Sequence, residues 1–433
     1  MWYKCRLSHR VGSMTERYQA LRGTHDILPG EVPRWEFLEG TARSVFARHR
    51  FQEIRTPLFE ATRLFVRSVG ESSDIVRKEM YTLERGEDSM TLRPEGTAPV
   101  VRAFVEHALY REVARGYPER YFYMGPMFRH ERPQKGRQRQ FHQIGAEVLG
   151  SPDPRCDVET IELVELLLGE LGIVDRELVL GSVGDPACRG PYQERLRAWL
   201  APQLPGMCED CRRRADENPL RVFDCRVERD REIVAAAPTL LDGMCAPCAD
   251  HFETVCRGLD GAGVRYRIDP RVVRGLDYYR RTVFEVVAAR LGAQNAVLGG
   301  GRYDGLVEEL GGPAVPGFGF AMGMERAVLL LDDTRVRPQR PDAIVVPLGH
   351  AGLAPAHALA ARLRRAGFGV VATLVERPLG AQMKRADREG ARFAVFVGKD
   401  EIERGAFGVK DLASGVQETL DEHGLFARLG GAT

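Results

Sequence analysis

Residues 121–150 combine side chains that could hold a small zwitterion beside a phosphate chain. The segment predicts two strands joined by a long loop, and because strand side chains alternate between faces, Gln143, Gly145 and Glu147 share one face. The loop has five cations against the single acid Glu131, which suits a polyanion because guanidinium groups pair well with phosphates. These cations are Arg129, Arg132, Lys135, Arg137 and Arg139. A solvated hairpin with a charged tip is the alternative that spacing alone leaves open.

Two further segments place polar side chains at the ends of predicted elements. Glu95 and Thr97 stand at the start of a predicted helix, where Thr97 could also serve only as a cap. The run RGLDYY offers Arg274 with the phenols of Tyr278 and Tyr279 in a turn that leads into a strand. Two packed tyrosines with satisfied hydroxyl groups are the alternative for this run.

Two glycine-rich segments follow. GGGRYDGL, which begins at Gly299, lacks the Gly-Lys-Ser/Thr of a P-loop, so by itself it is weak support for phosphate binding. GFGFAMGMER, which begins at Gly317, predicts a strand of small residues that enters a helix presenting Glu325 and Arg326. Close packing alone is an alternative explanation for these glycines.

Four of the nine cysteines form two CxxC pairs, with Cys225 between the pairs and Cys256 after them. The paired residues are Cys208, Cys211, Cys245 and Cys248. Two such pairs can bring four thiolates to one tetrahedral Zn²⁺, and a cytosolic setting keeps thiols reduced for that role. The spacing predicts a structural zinc site. Reduced cysteines left from a lost site are the alternative, because the gap between the pairs exceeds that of the usual zinc ribbon.

The whole chain has 433 residues, of which 44% are hydrophobic and 28% charged, with a net charge of +1. This length predicts about two or three domains. No apolar run approaches the ~20 residues of a membrane helix, so we expect a cytoplasmic protein without a membrane segment. The near-neutral charge argues against binding nucleic acid through bulk charge. Residues 1–13 lack the apolar core of a secretory signal, and Met14 resembles a natural start.

The order of elements predicts an α+β catalytic domain built on an antiparallel sheet rather than a doubly wound sheet. Helices are expected at residues 35–50, 97–114 and 157–171, and a strand at residues 51–58. Near Gly184 the composition shifts toward cysteines and charged helical stretches, which indicates an inserted, mainly helical module. After the proline-containing linker, apolar strands alternate with amphipathic helices, which predicts a small α/β domain with a largely parallel sheet.

The predicted organisation has five parts after an N-terminal extension of residues 1–17. The catalytic core comprises residues 18–185 and 263–331, the insertion residues 186–262, the linker residues 332–341, and the C-terminal domain residues 342–433.

Together these motifs resemble the histidyl-tRNA synthetases, a family of class II aminoacyl-tRNA synthetases, from about Tyr18 to Gly430. Residues 51–65 resemble motif 1, the dimer-interface segment, and FRHERPQKGRQRQFHQIGAE resembles motif 2. GFGFAMGMERAVLLL resembles motif 3, while RGLDYY and GGGRYDGL resemble the two signatures that separate this family from other class II enzymes. The C-terminal stretch RPLGAQMKRADREGARFAVFVGKDE resembles an anticodon-binding domain.

The resemblance implies an activity and a set of residue roles. It implies that the chain activates L-histidine with ATP and Mg²⁺, transfers it to the 3′ end of tRNA(His), and acts as a homodimer. Glu95 and Thr97 would bind the ammonium group of histidine, Gln143 its carboxylate, and Glu147, Tyr278 and Tyr279 its imidazole. Arg129, Glu131 and Arg326 would bind ATP, and Arg274 would lie beside the α-phosphate and the substrate carboxylate.

One other relative remains as an alternative. A non-catalytic paralogue of these synthetases regulates ATP phosphoribosyltransferase. That paralogue lacks the anticodon-binding domain and usually departs from RGLDYY and from the ATP-site arginines. This chain keeps all of these features.

Overall fold

The computed structural model describes residues 18–70, 73–134, 136–225, 227–292, 295–336 and 340–431. The chain divides into two compact units between residues 336 and 337. Lys135 of the basic loop, Met14 and part of the predicted linker lie outside the described residues. Within the described ranges, no helix is both long and apolar enough to cross a membrane.

The first unit is built on an eight-stranded sheet and a separate three-stranded sheet. Its strands are β1 (Gln52–Glu53), β2 (Phe59–Ala61), β3 (Tyr81–Arg85), β4 (Asp88–Leu92), β5 (Glu119–Phe128), β6 (Gln140–Leu149), β7 (Glu177–Ser182), β8 (Arg267–Ile268), β9 (Arg280–Val287), β10 (Ala296–Arg302) and β11 (Gly317–Gly323). The large sheet has the order β1-β5-β6-β11-β10-β9-β7-β8, and the small sheet has the order β2-β4-β3. Neighbours from β5 to β7 in the large sheet are antiparallel, and only the two short edge strands pair in parallel.

The helices of the first unit are α1 (Val32–Arg48), α2 (Thr62–Val69), α3 (Thr97–Glu106), α4 (Tyr110–Val113), α5 (Pro154–Glu170), α6 (Pro186–Leu200), α7 (Glu209–Glu217), α8 (Glu228–Val234), α9 (Ala246–Gly261), α10 (Leu306–Glu309) and α11 (Met324–Leu330). Side chains of α1, α5, α9 and α11 form the main core against one face of the large sheet. Helices α6 and α7 belong to a smaller cluster of their own, within the predicted insertion.

The two faces of β6 have different neighbours, as strand alternation predicts. Ile144 and Ala146 belong to the main core, beneath the helices. Gln143, Gly145 and Glu147 therefore point to the opposite face. That face also contains Tyr123 and the apolar side of α3.

The structure confirms the α+β class and its antiparallel sheet, but several element boundaries differ from expectation. The helix predicted over residues 97–114 is two helices, because Ala108 adopts a left-handed φ of 52° between them. Of the strand predicted over residues 51–58, only Gln52–Glu53 pairs, with Tyr121 and Phe122 of β5. Pro57, which has no backbone N–H to donate, lies beyond this short pairing.

The second unit contains a five-stranded sheet and four helices. Its strands are β12 (Ala343–Pro347), β13 (Val370–Ala372), β14 (Phe393–Val397), β15 (Ala406–Asp411) and β16 (Gln417–Asp421), and its helices are α12 (Leu353–Arg365), α13 (Leu379–Glu389), α14 (Lys399–Arg404) and α15 (Glu422–Gly430). The order is β13-β12-β14-β15-β16. The first three strands are parallel and the last two pairings are antiparallel. The sheet is thus mixed rather than largely parallel, because a hairpin follows the last parallel strand.

Candidate active site

A cavity of about 1200 Å³ opens on the face of the large sheet opposite the main core. Nine of the predicted site residues line it: Glu95, Thr97, Arg129, Glu131, Gln143, Arg274, Tyr278, Tyr279 and Arg326. Glu147, the tenth, is fully buried and is not among the lining residues. The strands and the basic loop form part of the cavity wall, which favours a ligand site over a hairpin that only faces solvent.

The floor of the cavity is formed by β5 and β6. Tyr123 pairs with Gly145 across the two strands, and its ring covers both Gly145 and Gly96 so closely that a Cβ at either position would collide with it. The amide oxygen of Gln143 and the phenol oxygen of Tyr123 are buried without a hydrogen-bond partner among the described residues. Buried polar atoms of this kind are costly unless a ligand or water satisfies them.

Glu95 and Thr97 lie where α3 begins. The Glu95 carboxylate accepts hydrogen bonds from the backbone N–H groups of Thr97 and Ala98, at 2.7 and 2.8 Å. Glu95 thus satisfies the helix N-terminus, while the Thr97 hydroxyl donates to Glu147 at 2.8 Å. The alternative in which Thr97 acts only as a helix cap is wrong. Burial nevertheless raises the pKa of Glu95, against these backbone donors.

Glu147 receives hydrogen bonds from two distant segments. Thr97 donates to its Oε1, and the Tyr303 hydroxyl donates to its Oε2 at 2.5 Å. Gly319 pairs with Glu147 in the sheet, and a Cβ there would collide with the carboxylate. Burial raises the pKa of Glu147 to about 8, although both hydrogen bonds oppose that shift. Near neutral pH this carboxyl group therefore holds a proton.

The RGLDYY segment provides one wall. The guanidinium group of Arg274 donates to Glu285 at 2.5 Å and lies against Gly299, where a Cβ would occupy the same space. Although burial favours the neutral form, the neighbouring charges of Glu285 and Asp224 raise the pKa of Arg274, which stays a cation. Its Nε is buried and lacks a partner among the described residues.

The aromatic side chains of this wall form a chain of rings. The rings of Tyr278 and Tyr279 are 4.7 Å apart, and the ring of Tyr278 meets that of Tyr303 edge to face at 5.7 Å. The tyrosine pair does pack, as the alternative interpretation proposed. Both residues also line the cavity, so packing and ligand contact are compatible.

Arg129 and Arg326, which belong to the segments that resemble motif 2 and motif 3, both line the cavity. Arg129 donates to the Pro94 carbonyl at 2.8 Å and lies 5.2 Å from the ring centre of Phe141. Arg326 donates to the carbonyl groups of Gly136 and Ala296. Burial and the nearby charge of Arg137 lower the pKa of Arg326 to about 10. An anion between these cations would relieve their repulsion.

The basic loop contains one acid, and that acid is already paired. Glu131 accepts from Arg137 at 2.5 Å. At the start of β6, Glu325 accepts from the backbone N–H of His142 at 2.9 Å, which joins α11 to β6.

The cysteines of the insertion form two clusters rather than one. Cys208, Cys211 and Cys225 lie with Asp230 in what we call the Cys208 cluster, and Cys188, Cys245 and Cys248 lie with Asp185 in what we call the Cys245 cluster. The prediction that the two CxxC pairs share one zinc ion is wrong in its grouping. Each pair stands at the N-terminus of its own helix, α7 or α9, and meets a different neighbouring segment.

Two tyrosines belong to this site although no role was predicted for them. Tyr303 lies inside GGGRYDGL, so the motif was found but its contact with Glu147 was not. Tyr123 lies opposite Gly145 in the hairpin, and cross-strand pairing of a large residue with a glycine was the signal that could have revealed it. Both contacts depend on strand register.

The fold and site together define the catalytic domain of a class II aminoacyl-tRNA synthetase: an antiparallel sheet whose open face holds arginines beside a polar pocket. A family model described as histidyl-tRNA synthetase matches residues 23–187 and 192–327, and one described as anticodon binding domain matches residues 342–429. The chain belongs to the histidyl-tRNA synthetase family.

Individual relatives agree with this assignment. The histidine–tRNA ligase of Geobacter sulfurreducens is 49% identical over 398 residues, which cover 92% of this chain and 95% of that protein. The histidine–tRNA ligase of Moorella thermoacetica is 50% identical over 406 residues, with shares of 92% and 95%. The crystal structure of apo Staphylococcus aureus histidyl-tRNA synthetase matches with a TM-score of 0.80 and 34% identity, covering 95% of this chain and 100% of that one.

One solved relative has a different description. A Bacillus halodurans protein described as ATP phosphoribosyltransferase regulatory subunit/histidyl-tRNA synthetase matches with a TM-score of 0.64 and 19% identity, over 89% of this chain and 99% of that one. At this identity the match shows the shared fold alone.

Proposed function

We propose that this chain joins L-histidine to tRNA(His) in two steps. Histidine and ATP first form histidyl-adenylate and pyrophosphate, and the histidyl group then moves to the 3′ end of the tRNA with release of AMP. The observation that supports this most is that arginines and tyrosines line one cavity beside the polar residues of β6 and α3. The identity of about half with curated histidine–tRNA ligases supports the same activity.

The amino acid would lie on the floor formed by β6. The carboxylate of Glu95 and the hydroxyl group of Thr97 would bind its ammonium group, and the amide of Gln143 would bind its carboxylate. Tyr278 and Tyr279 would flank the imidazole. Gln143 has a buried amide oxygen without a partner among the described residues, which fits a site that a polar ligand completes.

Glu147 would select the side chain. Its two oxygens already accept from Thr97 and Tyr303, and the one proton that the carboxyl group and the imidazole ring share can form a hydrogen bond between them. A substrate without such a ring would leave this buried group without its partner, which makes rejection strong. Selectivity of this kind requires no separate editing site.

The triphosphate would lie among Arg129, Arg326 and the basic loop. Mg²⁺ binds through phosphate oxygens, water and one or two carboxylates, and Glu131 and Glu285 are two of the several lining carboxylates that could join it. Bound there, Mg²⁺ would neutralise phosphate charge as pyrophosphate leaves. The oxygen donors of both glutamates suit this hard cation.

The chemistry requires two anions to approach each other. The substrate carboxylate attacks the α-phosphate, and Arg274, which lines the same cavity, would offset their repulsion and the negative charge of the transition state. A covalent nucleophile with an attached base is unnecessary for this reaction. Positioning and charge are sufficient.

The second unit would recognise the anticodon. From Pro341 onward the chain has twelve Lys and Arg against eleven Asp and Glu, so bulk charge supplies little attraction. Contacts to individual bases would have to supply recognition. The acceptor end of the tRNA would meet the basic loop through its phosphates.

We also propose a cytoplasmic homodimer. Residues 51–65 resemble the dimer-interface motif, and in the single chain Leu58 and Phe59 are 43% and 55% exposed. A partner subunit would cover this apolar surface.

The decisive experiment is ATP–pyrophosphate exchange with each of the twenty amino acids. We expect exchange with histidine, and then histidine-dependent charging of tRNA(His). Exchange with a different amino acid would contradict the assignment. Absence of exchange with every amino acid, together with stimulation of an ATP phosphoribosyltransferase, would instead support the regulatory paralogue.

A further inference from the structure

The insertion concentrates groups that bind soft metal ions. Six of the eight described cysteines belong to the Cys208 cluster or the Cys245 cluster, and Cys156 and Cys256 belong to neither. In each cluster the three thiols and one carboxylate have ligand atoms within 4.8 Å of one another. All eight described cysteines are free of disulfide bonds.

We propose that each cluster binds one structural Zn²⁺, so that the insertion holds two ions per chain. Three thiolates and one carboxylate complete a tetrahedral coordination sphere without an open position. Binding releases the three thiol protons to solvent, and the thiolate sulfurs become the ligands. Thiolates favour Zn²⁺ over Mg²⁺ or Ca²⁺, which prefer oxygen.

The spacing of the Cys208 cluster matches tetrahedral geometry. The Sγ atoms of Cys208 and Cys225 are 3.9 Å apart. A Zn–S distance of about 2.3 Å gives a sulfur–sulfur edge of about 3.8 Å in a tetrahedron. The Cys225 Sγ lies 3.5 Å from Asp230 Oδ2, and a mixed sulfur–oxygen edge is also about 3.5 Å.

Backbone donors already point at these ligands. Cys208 Sγ accepts from the N–H of Cys211, and Cys225 Sγ accepts from the N–H of Val227, both at 3.4 Å. Asp230 accepts from the N–H of Cys208 at 3.0 Å. Hydrogen bonds to metal ligands orient them and stabilise the thiolate form. Cys211, Cys225 and Asp230 are buried, so water would compete little with an ion.

The Cys245 cluster joins the beginning of the insertion to its end. Asp185 is the N-cap of α6, and Cys245 is the N-cap of α9. Asp185 Oδ1 lies 3.7 Å from Cys188 Sγ and 3.6 Å from Cys245 Sγ. Two helix N-termini thus converge, and their partial positive charge favours thiolates.

The Cys208 cluster also borders the active site. Cys208 and Cys225 line the cavity. Two residues that lie between Cys208 and Cys225 in the sequence contact other parts of the first unit. Asn218 donates to Asp277 of the RGLDYY segment at 3.0 Å, and Arg214 pairs with Asp74 at 2.9 Å. An ion in this cluster would hold the cavity wall that faces Arg274.

The test measures metal in the full-length protein purified under reducing conditions without chelator. We expect about two zinc ions per chain by elemental analysis. Cys225→Ser and Cys248→Ser should each lose about one, and the double variant both. Cys256→Ser, whose thiol lies outside both clusters, is the matched control and should keep two.

A second measurement remains informative if a variant does not fold. Zinc is removed from the wild-type chain, and Co²⁺ is added in steps. We expect the visible bands of tetrahedral thiolate-bound cobalt to saturate at two equivalents. Absence of both zinc and cobalt binding in the wild type would overturn the proposal. One equivalent that both Cys225→Ser and Cys248→Ser abolish would overturn it in favour of one shared site. If the wild type binds one equivalent and only one of the two variants loses it, only the cluster changed in that variant binds metal. That result would overturn the site proposed at the other cluster.

Discussion

The carboxyl group of Glu147 connects three segments that are distant in the chain. Thr97 reaches it from the start of α3 and Tyr303 from the end of β10, while Gly319 on the neighbouring strand leaves it room. Burial raises its pKa to about 8, so its proton is available in the physiological range. Its protonation state should therefore control histidine binding.

Histidine binding should be tightest between about pH 6.5 and about pH 8. A buried ring and carboxyl group are least costly when together they hold one proton and no net charge. Free histidine has a ring pKa of about 6.5, and the pKa of Glu147 is raised to about 8. Between these two pH values the free ring is neutral and the free Glu147 carboxyl group is protonated, so together they already hold the one proton that the complex needs. Above pH 8 the complex must take up a proton, and the affinity should fall about tenfold per pH unit. Isothermal titration calorimetry with histidine at a series of pH values from about 6 to about 9 measures this affinity.

The control for this pH dependence is Glu147→Gln. This variant should bind histidine more weakly and lose the alkaline decline, because glutamine does not titrate. An unchanged alkaline decline in the variant would show that another group is responsible.

Tyr303→Phe should raise the KM for histidine by about ten- to a hundredfold. It removes the hydroxyl that donates to Glu147 and leaves the carboxyl oxygen without that partner, at a cost of about 1.5–3 kcal/mol. Steady-state exchange kinetics measure the change. Tyr192→Phe is the control, since the Tyr192 hydroxyl donates to the Pro238 carbonyl in the insertion, and its KM should stay unchanged.

Arg274→Ala should reduce the rate of histidine activation by at least about a hundredfold. The guanidinium group is proposed to stabilise the charge that builds in the transition state, and its loss should affect kcat more than histidine binding. Pre-steady-state adenylate formation measures the rate. Arg267→Ala, which removes a half-exposed arginine on β8, should be nearly wild type. Normal activation by Arg274→Ala would refute the proposed role.

At the scale of elements, a buried ion network joins α5, α9 and β10. Arg302 and Asp157 are both fully buried and form an ion pair, and His251 Nε2 lies 2.9 Å from Asp157. Arg302 also donates to the Ser151 carbonyl at 2.8 Å. Because Arg302 precedes Tyr303, this network sets where the strand ends and the tyrosine reaches the site.

Asp157→Ala should destabilise the protein by about 3–5 kcal/mol, because it leaves the Arg302 cation buried without its carboxylate. Denaturant unfolding with a probe in the first unit measures this loss. Glu159→Ala is the matched control on α5, since its half-exposed pair with Arg120 should contribute less than about 1 kcal/mol. Equal losses in the two variants would contradict a special role for the buried pair.

At the scale of the whole molecule, the boundary after residue 336 separates two compact units, each with its own cores. Residues 1–336 contain the whole cavity and both cysteine clusters. Activation and anticodon recognition should therefore be separable.

A chain truncated after Val336 should keep histidine-dependent pyrophosphate exchange within about tenfold of the full-length rate. Its charging of tRNA(His) should fall much further, because anticodon contacts that add binding energy are lost. Both assays on truncated and full-length protein measure this difference. Equal losses in exchange and charging would indicate that the second unit supports the catalytic fold itself.

Much of the site could be predicted from local patterns. Strand alternation placed Gln143 and Glu147 on one face, and motif residues such as Arg274 and Arg326 do line the cavity. These predictions depended on the two-residue period of a strand and on residue chemistry, which a short window of sequence contains. The C-terminal sheet was less predictable, because the direction of its last strands depends on a hairpin rather than on the apolar pattern.

The sequence by itself determined the α+β class, the family, and which residue types could meet a zwitterion and a phosphate chain. Only the tertiary structure decided that Tyr303 holds Glu147 across 156 residues, and that the two CxxC pairs lie in separate clusters. The physical reason is the same in both cases. Strand register and helix packing bring together groups that are far apart in the chain, and no local period of the sequence encodes those distances.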